Sequence, residues 1–170
     1  AGIALMLDTL FFAVLSPLLA GYAQSAHLSE AQVGLLVASY PLGMVSAAYP
    51  VGRLLPRHGP RAMVISGMLL LAITCVLFAT ASTGPQLIGY RFAQGVGAMI
   101  SWASGMSWVQ AIAPDDRRGE LTGRTLGVAV AGAVVGPAVG AAATIVGTVP
   151  VFSVIAAVFV ALAVWAARSP

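Results

Sequence analysis

The basic residues of this chain lie in a few separate places, with long apolar stretches between them. All eight basic residues are arginine. Seven of them fall in three groups, which are Arg53, Arg57 and Arg61, then Arg117, Arg118 and Arg124, and finally Arg168. Loops beside membrane-spanning helices carry an excess of basic residues on the cytoplasmic side. The alternation therefore predicts a chain that crosses a membrane back and forth, with every basic connection on the cytoplasmic face.

The composition supports an integral membrane protein and argues against other classes. Hydrophobic residues make up 59% of the chain and charged residues only 8%, whereas soluble domains carry about 25% charged residues. The net charge of +3 comes from the connection arginines. The sequence has no stripe of basic residues interleaved with aromatic ones, so it does not predict a nucleic-acid partner. The single cysteine, Cys75, lies within an apolar stretch and cannot form an intrachain disulfide or a cysteine-based metal cluster. We expect no metal and no cofactor.

Six apolar segments are each close to the roughly 20 residues that a membrane-spanning helix needs. They cover residues 2–24, 31–52, 61–82, 86–112, 120–146 and 150–167. Ser29 and Gln32 form a capping box that predicts the start of the second helix. Because the bilayer interior offers no partner to unpaired backbone groups, these spans must be helices. The sequence thus predicts an all-α, multi-pass protein of the cell membrane with a cytoplasmic amino terminus.

Several stretches resemble signatures of the major facilitator superfamily. Residues 52–61 read GRLLPRHGPR and resemble that family's loop signature, Gly-x-Leu-x-Asp-Arg-x-Gly-Arg-Arg/Lys. Residues 91–98 read RFAQGVGA and resemble the pattern of its fourth helix. In the fifth span, residues 132–141 read GAVVGPAVGA, which is similar to the signature of drug/proton antiporters. Asp8-Thr9 followed by Pro17 resembles the first helix of the same branch. The order and spacing of these stretches agree over nearly the whole chain.

The resemblance implies a fold and a function. Residues 1–170 would be the amino-terminal six-helix bundle of a twelve-helix transporter, arranged as two inverted three-helix repeats. The function implied is proton-coupled efflux of small drug-like or metabolite substrates by alternating access, with a second six-helix half from the same gene product or a second copy. A proton symporter for a sugar or metabolite, or a homodimeric six-helix permease, remains as an alternative. An enzyme is not expected, because neither histidine lies in a span.

The loop signature also shows a departure from the family pattern. Pro56 replaces its acidic residue, which in the family is thought to hold the cytoplasmic gate through a charge network with the opposite half. The resemblance assigns four of the signature residues that remain, Gly52, Arg57, Gly59 and Arg61, to a gating loop. The loop arginines are also expected to set topology and to meet anionic lipid headgroups.

Two of the charged residues inside predicted spans, Asp8 and Arg91, are candidates for proton coupling. An ionised side chain at the centre of a span costs at least about 2.5 kcal/mol, so such residues are usually functional. Loss of hydration favours the neutral form of a carboxylate, as a proton carrier requires, which makes Asp8 a candidate. Arg91 would act on coupling or on the field of the cavity. The alternatives are an acid at a helix end for Asp8 and a side chain that extends to the headgroups for Arg91. The two lie toward opposite faces in this topology and need not pair directly.

Three further residues are candidates for a substrate cavity. Gln94 is one turn from Arg91 on the same helical face, and Tyr40 and Trp102 offer aromatic surface. For each of them, packing against a neighbouring helix or lipid is the alternative role.

The fifth span carries glycines at four-residue spacing. Gly132, Gly136 and Gly140 share one helical face, where small residues let two helix backbones approach closely. Pro137 removes one backbone hydrogen bond, which favours a kink. This helix is expected to pack closely, either as part of a gating motion or as ordinary helix packing.

Overall fold

The structure of this protein, a computed structural model, consists of long helices joined by short connections. It describes residues 2–168, apart from the side chains at positions 16, 19, 20 and 23, so that residues 1, 169 and 170 of the predicted domain lie outside it. The helices are α1 (Gly2–Ser25), α2 (Glu30–Ala79), α3 (Gly84–Ile112), α4 (Arg118–Val146) and α5 (Thr148–Arg168). A 3-10 turn, Asp115–Arg117, precedes α4. The predicted capping box is present, since the Gln32 amide donates to the Ser29 hydroxyl and the Gln32 side chain accepts from the Ser29 amide.

Helix α2 is bent at Gly59, and the bend corrects the predicted boundaries there. Gly59 has φ 78° and ψ 156°, a backbone conformation that costs little only without a Cβ. Pro60 can follow because the first turn of a helix does not need its N–H. The sequence predicted helices that end at residue 52 and begin at residue 61. The structure instead has helix on both sides of Gly59, which we call the first arm (residues 30–58) and the second arm (residues 60–79) of α2.

The chain reverses direction at this bend, as the contacts of α3 with both arms show. A Cβ on Gly43 of the first arm would collide with the backbone of Phe92. Two residues further along α3, the Gln94 side chain donates to the carbonyl of Thr74 in the second arm. Positions 43 and 74 therefore lie beside the same part of α3, although the bend at Gly59 separates them in sequence.

Helices α1 and α4 lie side by side and run in the same direction. At one end, a Cβ on Gly2 would lie 3.7 Å from Val128 Cγ1. Twelve residues later in each helix, a Cβ on Gly140 would collide with the carbonyl of Val14. The two backbones thus approach closely along most of α1.

The second arm of α2 pairs with α5 in the opposite direction. At the end near the bend, Arg61 Nε donates to the carbonyl of Ala166 at 2.8 Å. At the other end, Cys75 Sγ donates to the carbonyl of Phe152 at 3.3 Å. Around Cys75 lies a cluster of buried rings, which we call the aromatic cluster. Its members are Phe11, Phe78, Phe152 and Phe159.

These pairings gather the arginines of the connections at one end of the bundle, here called the basic end. It contains the start of α1, the bend of α2, the start of α4 and the end of α5. By length and composition, three segments of the described chain could cross a membrane: α2, α5 and the segment Asp115–Val146 that contains α4. The chain is therefore a helical membrane protein, and the basic end agrees with the prediction that the basic connections share one face.

Candidate functional site

A groove lies between α1, the first arm of α2 and α3. Its volume is about 340 Å³, and its walls are almost entirely apolar. The lining residues are Asp8, Thr9, Phe12, Val37, Tyr40, Pro41, Met44 and Trp102. The groove thus combines apolar and aromatic walls with a single carboxyl group, and it contains three of the residues that the sequence singled out, Asp8, Tyr40 and Trp102.

The Asp8 carboxyl group is buried, with 1% of the residue exposed. Trp102 Nε1 donates to Asp8 Oδ2 at 2.7 Å, and the Tyr40 hydroxyl donates to Asp8 Oδ1 at 3.2 Å. The ion pairs within residues 2–168 all lie near the start of α4, so Asp8 has neutral donors and no cation as a direct partner. A buried carboxylate needs such donors, because leaving one unpaired is costly. Asp8 is held by two aromatic side chains from two different helices.

The Arg91 guanidinium lies inside the bundle, and 2% of the residue is exposed. Its Nη1 donates to Gln94 Oε1 at 3.0 Å, and its Nη2 donates to the carbonyl of Phe12 at 3.1 Å. The Tyr40 ring centroid lies 4.7 Å from the guanidinium carbon, within the range of a cation–π contact. Arg91 Nε has no partner among the described residues. This side chain points into the protein and does not extend toward the headgroups.

Tyr40 connects the two buried charges. Its hydroxyl contacts Asp8, while its ring faces the guanidinium of Arg91. Asp8 and Arg91 form no direct ion pair in the described part of the chain. The sequence placed them toward opposite faces of the membrane, yet both side chains contact the same tyrosine.

Gln94 is a hydrogen-bond partner of Arg91. It is fully buried, and its Nε2 donates to the carbonyl of Thr74 at 3.2 Å while its Oε1 accepts from Arg91. It is not among the residues that line the groove. The structure therefore places this cavity candidate between α3 and the second arm of α2, where it fixes the orientation of the guanidinium.

The glycines of the predicted antiporter signature pack against α1. A Cβ on Gly132 would collide with the carbonyl of Met6, and one on Gly136 would lie 2.5 Å from Ala13 Cβ. The Thr9 hydroxyl adds a hydrogen bond to the carbonyl of Ala129. Gly140 continues the same buried face, while Pro137 is exposed on another face of a helix that stays continuous. The signature thus builds a close interface directly behind the groove.

The residues predicted as a gating loop surround the bend of α2. Gly52 and Arg57 are exposed, and Gly59 forms the bend itself. Arg61 donates to the carbonyls of Ala166 at 2.8 Å and of Ala167 at 2.5 Å, at the end of α5. A cation at that position also interacts favourably with the helix dipole. In this structure Arg61 ties the bend to α5.

Phe12 is a residue of the site that the sequence analysis missed. Its ring lines the groove, and its carbonyl accepts from Arg91. It lies four residues after Asp8, so the two share a face of α1. That spacing is the signal by which it could have been found.

Comparison with known proteins gives several transporters as relatives. The synaptic vesicular amine transporter of Rattus norvegicus is 33% identical over 103 residues, which is 61% of this chain and 19% of that protein. The multidrug resistance protein MdtL of Shewanella oneidensis is 29% identical over 106 residues, 62% of this chain and 27% of that protein. MdtL of Klebsiella pneumoniae is 28% identical over 99 residues, with shares of 58% and 25%. The chain spans about a quarter or less of the length of these relatives.

A comparison with protein families covers more of the chain than any of these relatives. The profile of the Major Facilitator Superfamily matches residues 1–170. The names of the relatives agree with a transporter and not with an enzyme. The chain therefore belongs to the major facilitator superfamily, as the sequence motifs predicted.

Proposed function

We propose that this chain is the amino-terminal six-helix half of a proton-coupled antiporter that exports drug-like substrates or organic amines. The observation that carries the proposal is the single buried carboxyl group, Asp8, in an otherwise apolar and aromatic groove. The groove volume of about 340 Å³ lies within the range of roughly 300–1,000 Å³ for small-molecule sites. The printed names of the relatives, an amine transporter and multidrug resistance proteins, support this substrate class.

The helix pairing supports two inverted three-helix repeats. The first repeat would be α1 and the two arms of α2, and the second would be α3, α4 and α5. In this arrangement α1 corresponds to α3, the first arm of α2 to α4, and the second arm to α5. The pair of α1 with α4 is therefore equivalent to the pair of α3 with the first arm. Both of these pairs run in the same direction and approach closely at glycines, Gly132 in one and Gly43 in the other. The second arm and α5 are equivalent to each other, and they pack directly against each other.

In the proposed cycle, a proton and a cationic substrate compete for Asp8. The carboxylate has neutral donors as its direct partners, so a bound cation or a proton would complete its neutralisation inside the groove. Arg91 is held rigidly by Gln94 and the carbonyl of Phe12, and it would supply a fixed positive charge beyond Tyr40. A second six-helix half would cover the groove and rock against this one.

The location proposed is the cell membrane, with the basic end in the cytoplasm. That end carries the arginines of the α2 bend, the start of α4 and the end of α5. The positive-inside rule assigns such an end to the cytoplasmic face. The amino terminus of α1 lies at the same end, since Gly2 lines the same cavity as Ala166 near the end of α5.

The test is Asp8→Asn in the full gene product, reconstituted in vesicles that hold a pH gradient. We expect efflux of an organic amine driven by the gradient to fall to background, while membrane insertion and thermal stability are retained. Asp116→Asn changes an exposed acid at the basic end and is the matched control, which should keep its efflux. Retained efflux in Asp8→Asn would remove Asp8 from the mechanism. Uptake in the direction of proton flow in the unmodified protein would favour the symporter.

A further inference from the structure

A second cavity lies at the basic end, apart from the groove. Its volume is about 510 Å³, and it shares no lining residue with the groove. Helices α1, α3, α4 and α5 and the second arm of α2 all contribute to its walls. The side chains that define it include Ile3, Val64, Met68, Val128 and Leu162, with Trp108 from the end of α3. Walls of this kind suit hydrocarbon and offer little to a polar ligand.

An arginine lies at the edge of this cavity. Arg61 is one turn before Val64 on the second arm, and it donates to the carbonyl of Ala166, which also lines the cavity. Two of its N–H groups are used on α5, and a guanidinium carries more donors in a rigid fork. The charge of Arg61 is thus held next to a residue of the cavity wall, Ala166.

Two acidic residues of the basic end pair with other arginines. Asp115 pairs with Arg118 at 2.9 Å, and Glu120 pairs with Arg117 at 3.0 Å and with Arg124 at 2.7 Å. None of the ion pairs within residues 2–168 includes Arg61. Among the described residues Arg61 therefore has no acidic partner, and its positive charge is complementary to an anionic group.

We propose that this cavity binds an acyl chain of an anionic phospholipid, whose phosphate is held by Arg61. A guanidinium binds phosphate in a bidentate way that an ammonium cannot reproduce. Basic pockets between helices on the cytoplasmic side are suited to anionic lipid headgroups. Trp108 lies in the same cavity, and indole rings favour the level of the membrane interface. Binding at this site differs from the general attraction of anionic lipids to the other arginines, because an apolar cavity lies beside Arg61.

The experiment measures lipid binding to the purified full gene product in detergent by native mass spectrometry. Phosphatidylglycerol and phosphatidylcholine with identical acyl chains are the probes. The unmodified protein should retain phosphatidylglycerol in preference to phosphatidylcholine. Arg61→Gln should weaken phosphatidylglycerol binding about fivefold, as expected for one surface charge, and Arg61→Lys should fall between the two. Arg53→Gln is the matched control, because Arg53 lies over the Tyr49 ring at 4.4 Å, whereas Arg61 donates to the cavity residue Ala166.

A second variant tests the cavity without touching the charge. Leu162→Trp adds volume to the wall and should reduce phosphatidylglycerol retention about tenfold, since it displaces buried hydrocarbon. Equal losses in Arg61→Gln and Arg53→Gln would overturn the proposal in favour of diffuse headgroup attraction. Unchanged binding in Leu162→Trp, or no preference for phosphatidylglycerol in the unmodified protein, would overturn it as well. Thermal unfolding of each variant separates loss of binding from loss of the fold. None of these outcomes depends on whether Asp8 couples transport to protons.

Discussion

The groove and the aromatic cluster lie in the same bundle but are buried in different ways. From the groove into the bundle, Asp8, Tyr40, Arg91 and Gln94 form a chain of buried polar groups, each in contact with the next. The aromatic cluster contains no such chain. There, Phe152 stacks on Phe78 with ring centroids 6.0 Å apart and meets Phe11 edge-on at 5.5 Å.

The difference separates two tasks. A lipid bilayer is as apolar as leucine, so helices within it associate through close packing and polar contacts rather than through the hydrophobic effect. Interlocking rings supply contact area and hold the second arm of α2 against α5. Buried polar groups cost free energy unless they are fully paired, and they fix a few side chains in one orientation. We infer that the aromatic cluster stabilises the bundle, whereas the buried polar groups at the groove lower its stability.

The largest effect on stability is expected from Phe152→Ala. This ring is 1% exposed and contacts both Phe11 and Phe78, so its removal should lower the free energy of unfolding by about 3–5 kcal/mol. Chemical unfolding of the purified protein measures the change. Val154→Ala, at a position of the same helix that is 64% exposed, should have little effect.

The same variant tests the separation of tasks. At a temperature where Phe152→Ala remains folded, its affinity for an organic amine should match that of the unmodified protein, because the ring does not line the groove. A loss of affinity in the folded variant would show that the two regions are not independent.

A smaller effect is expected from Gly132→Val, which tests the interface behind the groove. A Cβ at Gly132 would collide with the carbonyl of Met6, whereas a Cβ at Gly127 of the same helix meets nothing within 4 Å. Overpacking of this kind costs about 1–3 kcal/mol. The measurement is the difference in unfolding free energy between Gly132→Val and Gly127→Val, which share the same change in helix propensity. Equal stabilities of the two variants would argue against the close contact of α1 with α4.

The positions of the helices were largely readable from the sequence. The lengths of the apolar stretches predicted six helical segments, and the capping box at Ser29 predicted the start of α2. The connection before α3 was less readable, and the second arm ends at Ala79 rather than at residue 82. The bend at Gly59 was hidden because a glycine between two basic helical turns resembles an open loop in sequence. Its positive φ is a property of the folded backbone.

The sequence singled out several of the residues that meet at the groove, but not the contacts between them. The sequence singled out Asp8, Tyr40, Arg91 and Trp102 individually, from residue type, span position and family motifs. Which of them touch depends on how α1, α2 and α3 are rotated against one another. A donor such as Trp102, 94 residues from Asp8 along the chain, is brought to the carboxylate by helix packing alone. The hydrophobic periodicity of the sequence does not indicate such contacts.

The smallest expected effect on stability comes from Tyr40→Phe, which changes the connection within the groove. The variant keeps the ring beside Arg91 and removes the hydroxyl that donates to Asp8. Loss of one such bond costs about 0.5–1.5 kcal/mol. Tyr49→Phe, at an exposed position of the same arm, is the matched control and should leave the unfolding free energy unchanged.

The value of this variant lies in its effect on efflux, measured in the vesicles used for Asp8→Asn. If Tyr40 holds Asp8 in place between substrate and Arg91, efflux driven by the pH gradient should fall far more than the small loss of stability explains. Trp102 still donates to Asp8 in the variant, so some efflux should remain. Efflux equal to that of Tyr49→Phe would show that the hydroxyl only satisfies a buried carboxyl group. The polar chain of the groove would then be a matter of folding, as the aromatic cluster is.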